Sequence, residues 1–184
     1  MTLNEMDKKV LSLIEELNPD SEYLTDDPDI QAKKRYVTNQ IMYELARIKK
    51  IPKYVEMEVS KGDIVEFADI EKECGYEVFQ VNLFAGVNNI PKASNTVFKI
   101  LESGTAEIDV FVYPERITDT TKGTYEFELS ADVLEVMPYG IAADLLKSDI
   151  SAEYGSVYGT RYESMKQLID PRYAMTSIYI EGGI

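Results

Sequence analysis

The sequence predicts an α+β fold: a small helical bundle formed by the two ends of the chain, with an antiparallel β subdomain inserted between them. Two observations carry this. Apolar residues recur at helical spacing over residues 2–52 and 130–169, and the period falls to two between them. Each end also offers two helices with one apolar face apiece, and neither pair covers its own face, so the simplest closure packs all four together.

The first helix is expected over residues 2–18. Thr2 and Glu5 have the spacing of a capping box, Leu3, Met6, Val10, Leu13, Ile14 and Leu17 form one stripe, and Asn18-Pro19 ends it. An acidic loop follows. Asp27 then caps a second helix with Pro28 at its first position, where a missing N–H costs little. Ile30, Val37, Ile41, Leu45 and Ile48 mark the inner face of this helix, Lys33, Lys34 and Arg35 are read as lying opposite, and Pro52 is the stop.

From Tyr54 to Leu129 runs such as Val55-Met57-Val59, Tyr76–Leu83, Thr96–Leu101, Ile108-Val110-Val112 and Tyr125-Phe127-Leu129 read as four to six strands. Lys61-Gly62-Asp63, Gly86–Asn89, Ser103-Gly104 and Lys122-Gly123 read as turns between them. The boundaries expected are therefore 1–52 for the first helical pair, 53–129 for the β subdomain, 130–169 for the closing helices and 170–184 for an extended tail. Ser130 is the expected cap of the third helix, and Pro138 should kink or divide it. Gly155 and Gly159 weaken the fourth helix but let another backbone approach.

Composition narrows the function. The 184 residues hold 19 Lys and Arg against 33 Asp and Glu, a net charge of −14, with no His and one Cys. A His-based triad or His metal site is excluded, and so are an internal disulfide and a thiolate cluster. The charge is the reverse of a nucleic-acid footprint. No run reaches the ~20 apolar residues of a membrane span, and the charged, amphipathic start does not read as a signal peptide. Neither a catalytic residue, a cofactor nor a metal is expected.

The local candidates are weak. Asp20, Glu22, Asp26, Asp27 and Asp29 lack the spacing of a calcium loop and read as a solvated loop. Asp63, Asp69, Glu71, Lys72 and Glu73 have the residue types of a metal-dependent nuclease but read as a polar surface loop. Gly86–Pro91 has too few glycines and no Lys for a phosphate loop, and reads as a hairpin or a subunit contact. Cys74 reads as an ordinary small apolar residue. The tail is the sharpest signal. Ser177–Ile180 has strong β propensity, and Tyr173, Met175, Ile178, Tyr179 and Ile180 are apolar residues that want a partner, either an edge strand or a surface on which to order.

One stretch resembles a known family. Val110-Phe-Val-Tyr-Pro-Glu-Arg-Ile117, the helix Leu134-Glu-Val-Met-Pro-Tyr-Gly-Ile-Ala-Ala-Asp-Leu-Leu-Lys-Ser-Asp149, and Tyr154, Tyr158 and Arg161-Tyr-Glu163 are similar to the matching segments of tailed-phage head–tail connector proteins, the adaptor group that includes tail tubular protein A. Gly140 stands where a second Tyr is common in that group. The resemblance implies a structural adaptor of the virion neck, assembled in the host cytoplasm. It implies a dodecameric ring that meets the portal protein above and a tail protein below, with DNA passing through the lumen. It also implies that the C-terminal segment reaches the portal. The charge alone leaves a rival open, an acidic DNA mimic that inhibits a DNA-binding enzyme. A carboxylate–metal hydrolase is the weakest reading.

Overall fold

The computed structural model describes residues 1–92, 96–148 and 152–169. The fold is α+β and divides into two compact units. Among the described residues, one is built from residues 1–49 and 116–169, the other from 50–115.

The helical unit holds α1 (Leu3–Leu13), α2 (Pro28–Ile48), α4 (Ala131–Leu145) and α5 (Ala152–Ile169), with a short 3-10 turn at Leu146–Ser148. The start of α1 is set as its sequence suggests: the Glu5 carboxylate accepts from the Thr2 N–H at 2.8 Å, and the Thr2 hydroxyl accepts from the Glu5 N–H. That backbone bond, with the Thr2 hydroxyl and nearby positive charge, lowers the Glu5 pKa. The helix ends earlier than its apolar stripe, because Glu15 takes a left-handed backbone (φ 62°) and the chain turns away. Asp27 caps α2 by accepting from the N–H groups of Asp29 and Ile30. This helix stops at Ile48, short of Pro52, which instead sits in an edge strand where a missing donor is tolerated.

Lys34 does not lie on the outer face. Its side chain is 4% exposed, its ammonium is 3.1 Å from the Asp7 carboxylate, and it donates to the Tyr23 carbonyl. Arg35 reaches the same carboxylate at 3.0 Å, so a buried ion cluster ties α1 to α2. Pro138 does not divide α4, which runs unbroken through it. Ser130 occupies the cap position of α4, but its hydroxyl bonds the Asp132 carboxylate instead of a backbone N–H and, with Lys49, lowers that group's pKa. Gly140 supplies the close approach between α4 and α5. A Cβ there would lie 2.8 Å from the Tyr162 ring and 3.1 Å from Ile41, so Tyr162 fills the space a larger residue at 140 would need. Leu3, Met6, Leu11, Met42, Leu45, Met137 and Ile141 form the fully buried centre.

Residues 116–129 belong to this unit, not to the β subdomain as the expected 53–129 boundary had it. The alternation of Tyr125, Phe127 and Leu129 is not that of a sheet strand: only Glu126 makes a bridge, to Thr2. The segment satisfies the orphan donors at the start of α1, Leu3 N–H to the Tyr125 carbonyl and Asn4 N–H to the Gly123 carbonyl. Its buried Asn39 clamp is equally specific, since that side-chain amide bonds both the N–H and the carbonyl of Ile117. Two-residue spacing here comes from an extended strap lying on a helical core.

The β unit contains β1 (Ile51–Val59), β2 (Ile64–Glu66), α3 (Phe67–Cys74), β3 (Val78–Ala85), β4 (Asn89–Lys92), β5 (Val97–Ile100) and β6 (Gly104–Val112). These make two three-stranded antiparallel sheets, ordered β1-β6-β3 and β2-β5-β4. Ala106, Ile108, Val110 and Val112 of β6 are all buried, the period-two signature of a strand with one face in a core. Phe84 of the first sheet stacks on Phe98 of the second with ring centroids 4.6 Å apart. Gly86 to Asn88 carries the chain from one sheet to the other and is not a hairpin turn. Gly86 has φ +81°, and a Cβ there would fall 2.3 Å from the Thr105 carbonyl oxygen. The stretch Asp69–Glu73, expected to be a loop, is helical. Its helix α3 buries Ile70 and ends on Gly75, whose left-handed φ of +76° ends the helix.

Candidate functional site

Six of the nine carboxylates singled out by sequence are spent on structure. Asp26 accepts from Asn18, Asp27 caps α2, and Asp29 pairs with Lys33. Asp63 accepts from the Ser60 N–H, Asp69 from the Glu66 N–H, and Glu71 from the Val78 N–H. Lys72 and Glu73 point to solvent. Among the described residues no group of three or more His, Cys, Asp or Glu is placed to hold a metal ion. Cys74 is half-buried, its sulfur near the Glu71 and Tyr76 carbonyls. Among the described residues no helix is long and apolar enough to cross a membrane. Tyr173, Met175, Ile178, Tyr179 and Ile180, the expected portal contacts, lie outside the described residues.

Two surfaces stand out instead. The first is a groove of about 640 Å³ in the helical unit, lined by Lys8, Lys9, Ser12 and Leu13 of α1, Glu135, Pro138 and Tyr139 of α4, and Arg161 and Met165 of α5. Its shape follows from how these helices meet. The Tyr158 hydroxyl donates to the Leu13 carbonyl, pinning α5 to the end of α1. Tyr139 packs beside Tyr158 at 6.4 Å between centroids, and the Arg161 guanidinium lies 4.3 Å over the Tyr139 ring. The floor is therefore apolar and aromatic, and the walls are cationic. Three cations face one acid, in a chain whose overall charge is −14. Beside it the exposed face of α5 carries Tyr154, Val157 and Leu168, at 68%, 61% and 84% exposure, spaced as an amphipathic stripe.

The second surface is the solvent face of β1 and β6. Register places Tyr54 opposite Asp109, Glu56 opposite Glu107, and Glu58 opposite Thr105. Like charges directly across a strand pair cost stability. The Tyr54 hydroxyl donates to Glu56 at 2.9 Å, and the Thr105 hydroxyl to Glu58 at 2.6 Å, which partly offsets that cost. The hydrogen bond to Glu56, then desolvation and the charges of Glu107 and Asp109, push the Tyr54 phenol up to about 12.

In the sequence Tyr139, Tyr158 and Arg161 stand out only within the segments that resemble connector proteins, and nothing there marks a groove. Its residues are drawn from three helices, the first more than 100 positions from the other two, and no local spacing joins them. The one available signal was the pair Lys8-Lys9, exposed on the first helix of an acidic chain. No family model matches this chain, and no curated protein matches it in sequence.

Proposed function

We infer that the chain is a structural head–tail adaptor of a tailed bacteriophage, a ring-forming neck protein that grips the portal above and a tail component below while DNA passes through. The reading rests on one arrangement: both chain ends build a single helical unit, the β unit is inserted between them, and the stretch that resembles connector proteins spans β6, the strap and α4–α5. Its surfaces suit protein partners. Large apolar side chains stand exposed on α5, and the groove offers an aromatic floor. The carboxylate face of β1 and β6 repels phosphate, over a Debye length of ~8 Å at physiological salt, which keeps a duplex off a wall without blocking a wide channel. In this reading Tyr173, Met175, Ile178, Tyr179 and Ile180 contact the portal.

The test is binding to the portal protein encoded in the same genome. The full chain is expected to co-sediment with portal rings, and a chain truncated at Asp170 is expected to lose that binding. Unchanged binding on truncation would remove the tail assignment. Competition with DNA for a nuclease or restriction enzyme would instead favour the mimic.

A further inference from the structure

We propose that the groove between α1, α4 and α5 receives the acidic loop Asp20–Asp27 of a second copy of this chain, with Tyr23 as the inserted side chain. This supplies the contact between neighbouring copies and rests on the ring reading above for its setting.

The loop is built as a knob. Asn18 N–H bonds the Leu24 carbonyl, the Ser21 hydroxyl and the Gln31 amide both reach the Thr25 carbonyl, and Lys34 holds the Tyr23 carbonyl. Leu24 adopts φ 62°, a left-handed conformation that costs a branched residue about 1–2 kcal/mol. That turn sends Leu24 against the core and Thr25 fully inside, and it leaves Tyr23 56% exposed. Around Tyr23 the segment Asp20–Asp27 carries four acids and no base; Asp26 and Asp27 are engaged by Asn18 and the start of α2, so the carboxylates offered outward are Asp20 and Glu22. An aromatic held outward by an ordered backbone loses little entropy on docking.

The groove is its complement. Lys8, Lys9 and Arg161 face the acids, while Tyr139 and Met165 face the ring. Its volume lies within the ~300–1,000 Å³ of a small-ligand cleft, room for one aromatic and its neighbours but not for a whole helix. The loop is anchored on the Asp7 side of α1, away from the groove. Asp7 of α1 faces α2 and the loop anchored there, whereas the groove residues Lys9, Ser12 and Leu13 lie about 120–160° around the helix from it. Knob and hole therefore sit on different sides of one chain, the requirement for a head-to-tail contact that closes into a ring or continues as a filament.

The experiment replaces Tyr23 by the photo-crosslinker p-benzoylphenylalanine in the full chain and mixes ¹⁴N- and ¹⁵N-labelled protein without portal. Crosslinks between copies are expected in the peptides carrying Tyr139 or Met165. The double substitution Lys9→Glu with Arg161→Glu should cut their yield several-fold with the circular dichroism spectrum unchanged. Mixing that variant with a crosslinker-bearing copy carrying Asp20→Lys and Glu22→Lys should restore it. Crosslinks confined to one copy, crosslinks elsewhere, no crosslinks, or a yield indifferent to charge reversal would overturn the proposal. Because no portal is used, failure here leaves the adaptor reading standing, and failure of portal binding leaves this contact standing.

Discussion

Substituting Asp7 by Asn should be among the most damaging single changes to the helical unit. Asp7 is 2% exposed and is the carboxylate shared by Lys34 and Arg35. The Lys34 side chain is 4% exposed, and without Asp7 its ammonium retains the Tyr23 carbonyl as a bonded partner while still facing the Arg35 guanidinium. Arg35, at 22% exposure, reaches water, but Lys34 does not. Removing one member of a buried pair costs about 3–5 kcal/mol, chiefly by stranding the other charge. For a chain of this size each kcal/mol moves the melting temperature by about 2–4 °C, so the shift is ~6–20 °C downward. Urea titration followed by circular dichroism at 0.15 M salt, where loss of one surface-screened charge is minor, measures it directly. The paired substitution Asp7→Leu with Lys34→Met should recover most of the loss, because well-packed apolar replacements of buried ion pairs are often neutral or stabilising. A loss below ~1 kcal/mol for Asp7→Asn alone would refute the claim that this cluster is closed to water.

Other substitutions test other joints. Gly140→Ala should cost about 1–3 kcal/mol by overpacking against Tyr162 and Ile41, read as a lower melting temperature. Gly86→Ala should destabilise the β unit by more than the ~1–2 kcal/mol of left-handed strain, since its Cβ also strikes the Thr105 carbonyl; hydrogen exchange in β3 and β6 would report it. Tyr54 should ionise near 12 in an ultraviolet titration, with that step lost in Tyr54→Phe. Its folded-state pKa is raised, so its contribution to stability is complete below ~10 and disappears as pH rises through about 12. Glu5 has the opposite sign: its pKa is lowered, so its contribution is present above ~4.3 and is lost as pH falls, and Glu5→Gln should flatten that part of an acid-unfolding curve.

Where local chemistry sets structure, the residues announced it. Thr2 with Glu5, and Asp27 with Pro28, mark helix starts because capping needs only neighbours in sequence. The buried alternation of β6 was legible for the same reason. The misreadings share a cause, which is long-range packing. Lys34 looked like a surface residue because its partner, Asp7, lies on another helix. Tyr125-Phe127-Leu129 looked like a strand because an extended strap on a helical core buries alternate residues just as a sheet does. The helix α3 was hidden by its length: eight residues leave only Phe67, Ile70 and Cys74 as its apolar stripe, set among charged neighbours. The groove was invisible because it exists only where α1, α4 and α5 meet.

Electron microscopy of the protein mixed with portal from the same genome addresses the central claim most directly. The account predicts a closed ring of this chain seated on one end of the portal, with an open axial channel. A portal that remains bare at saturating protein would contradict it.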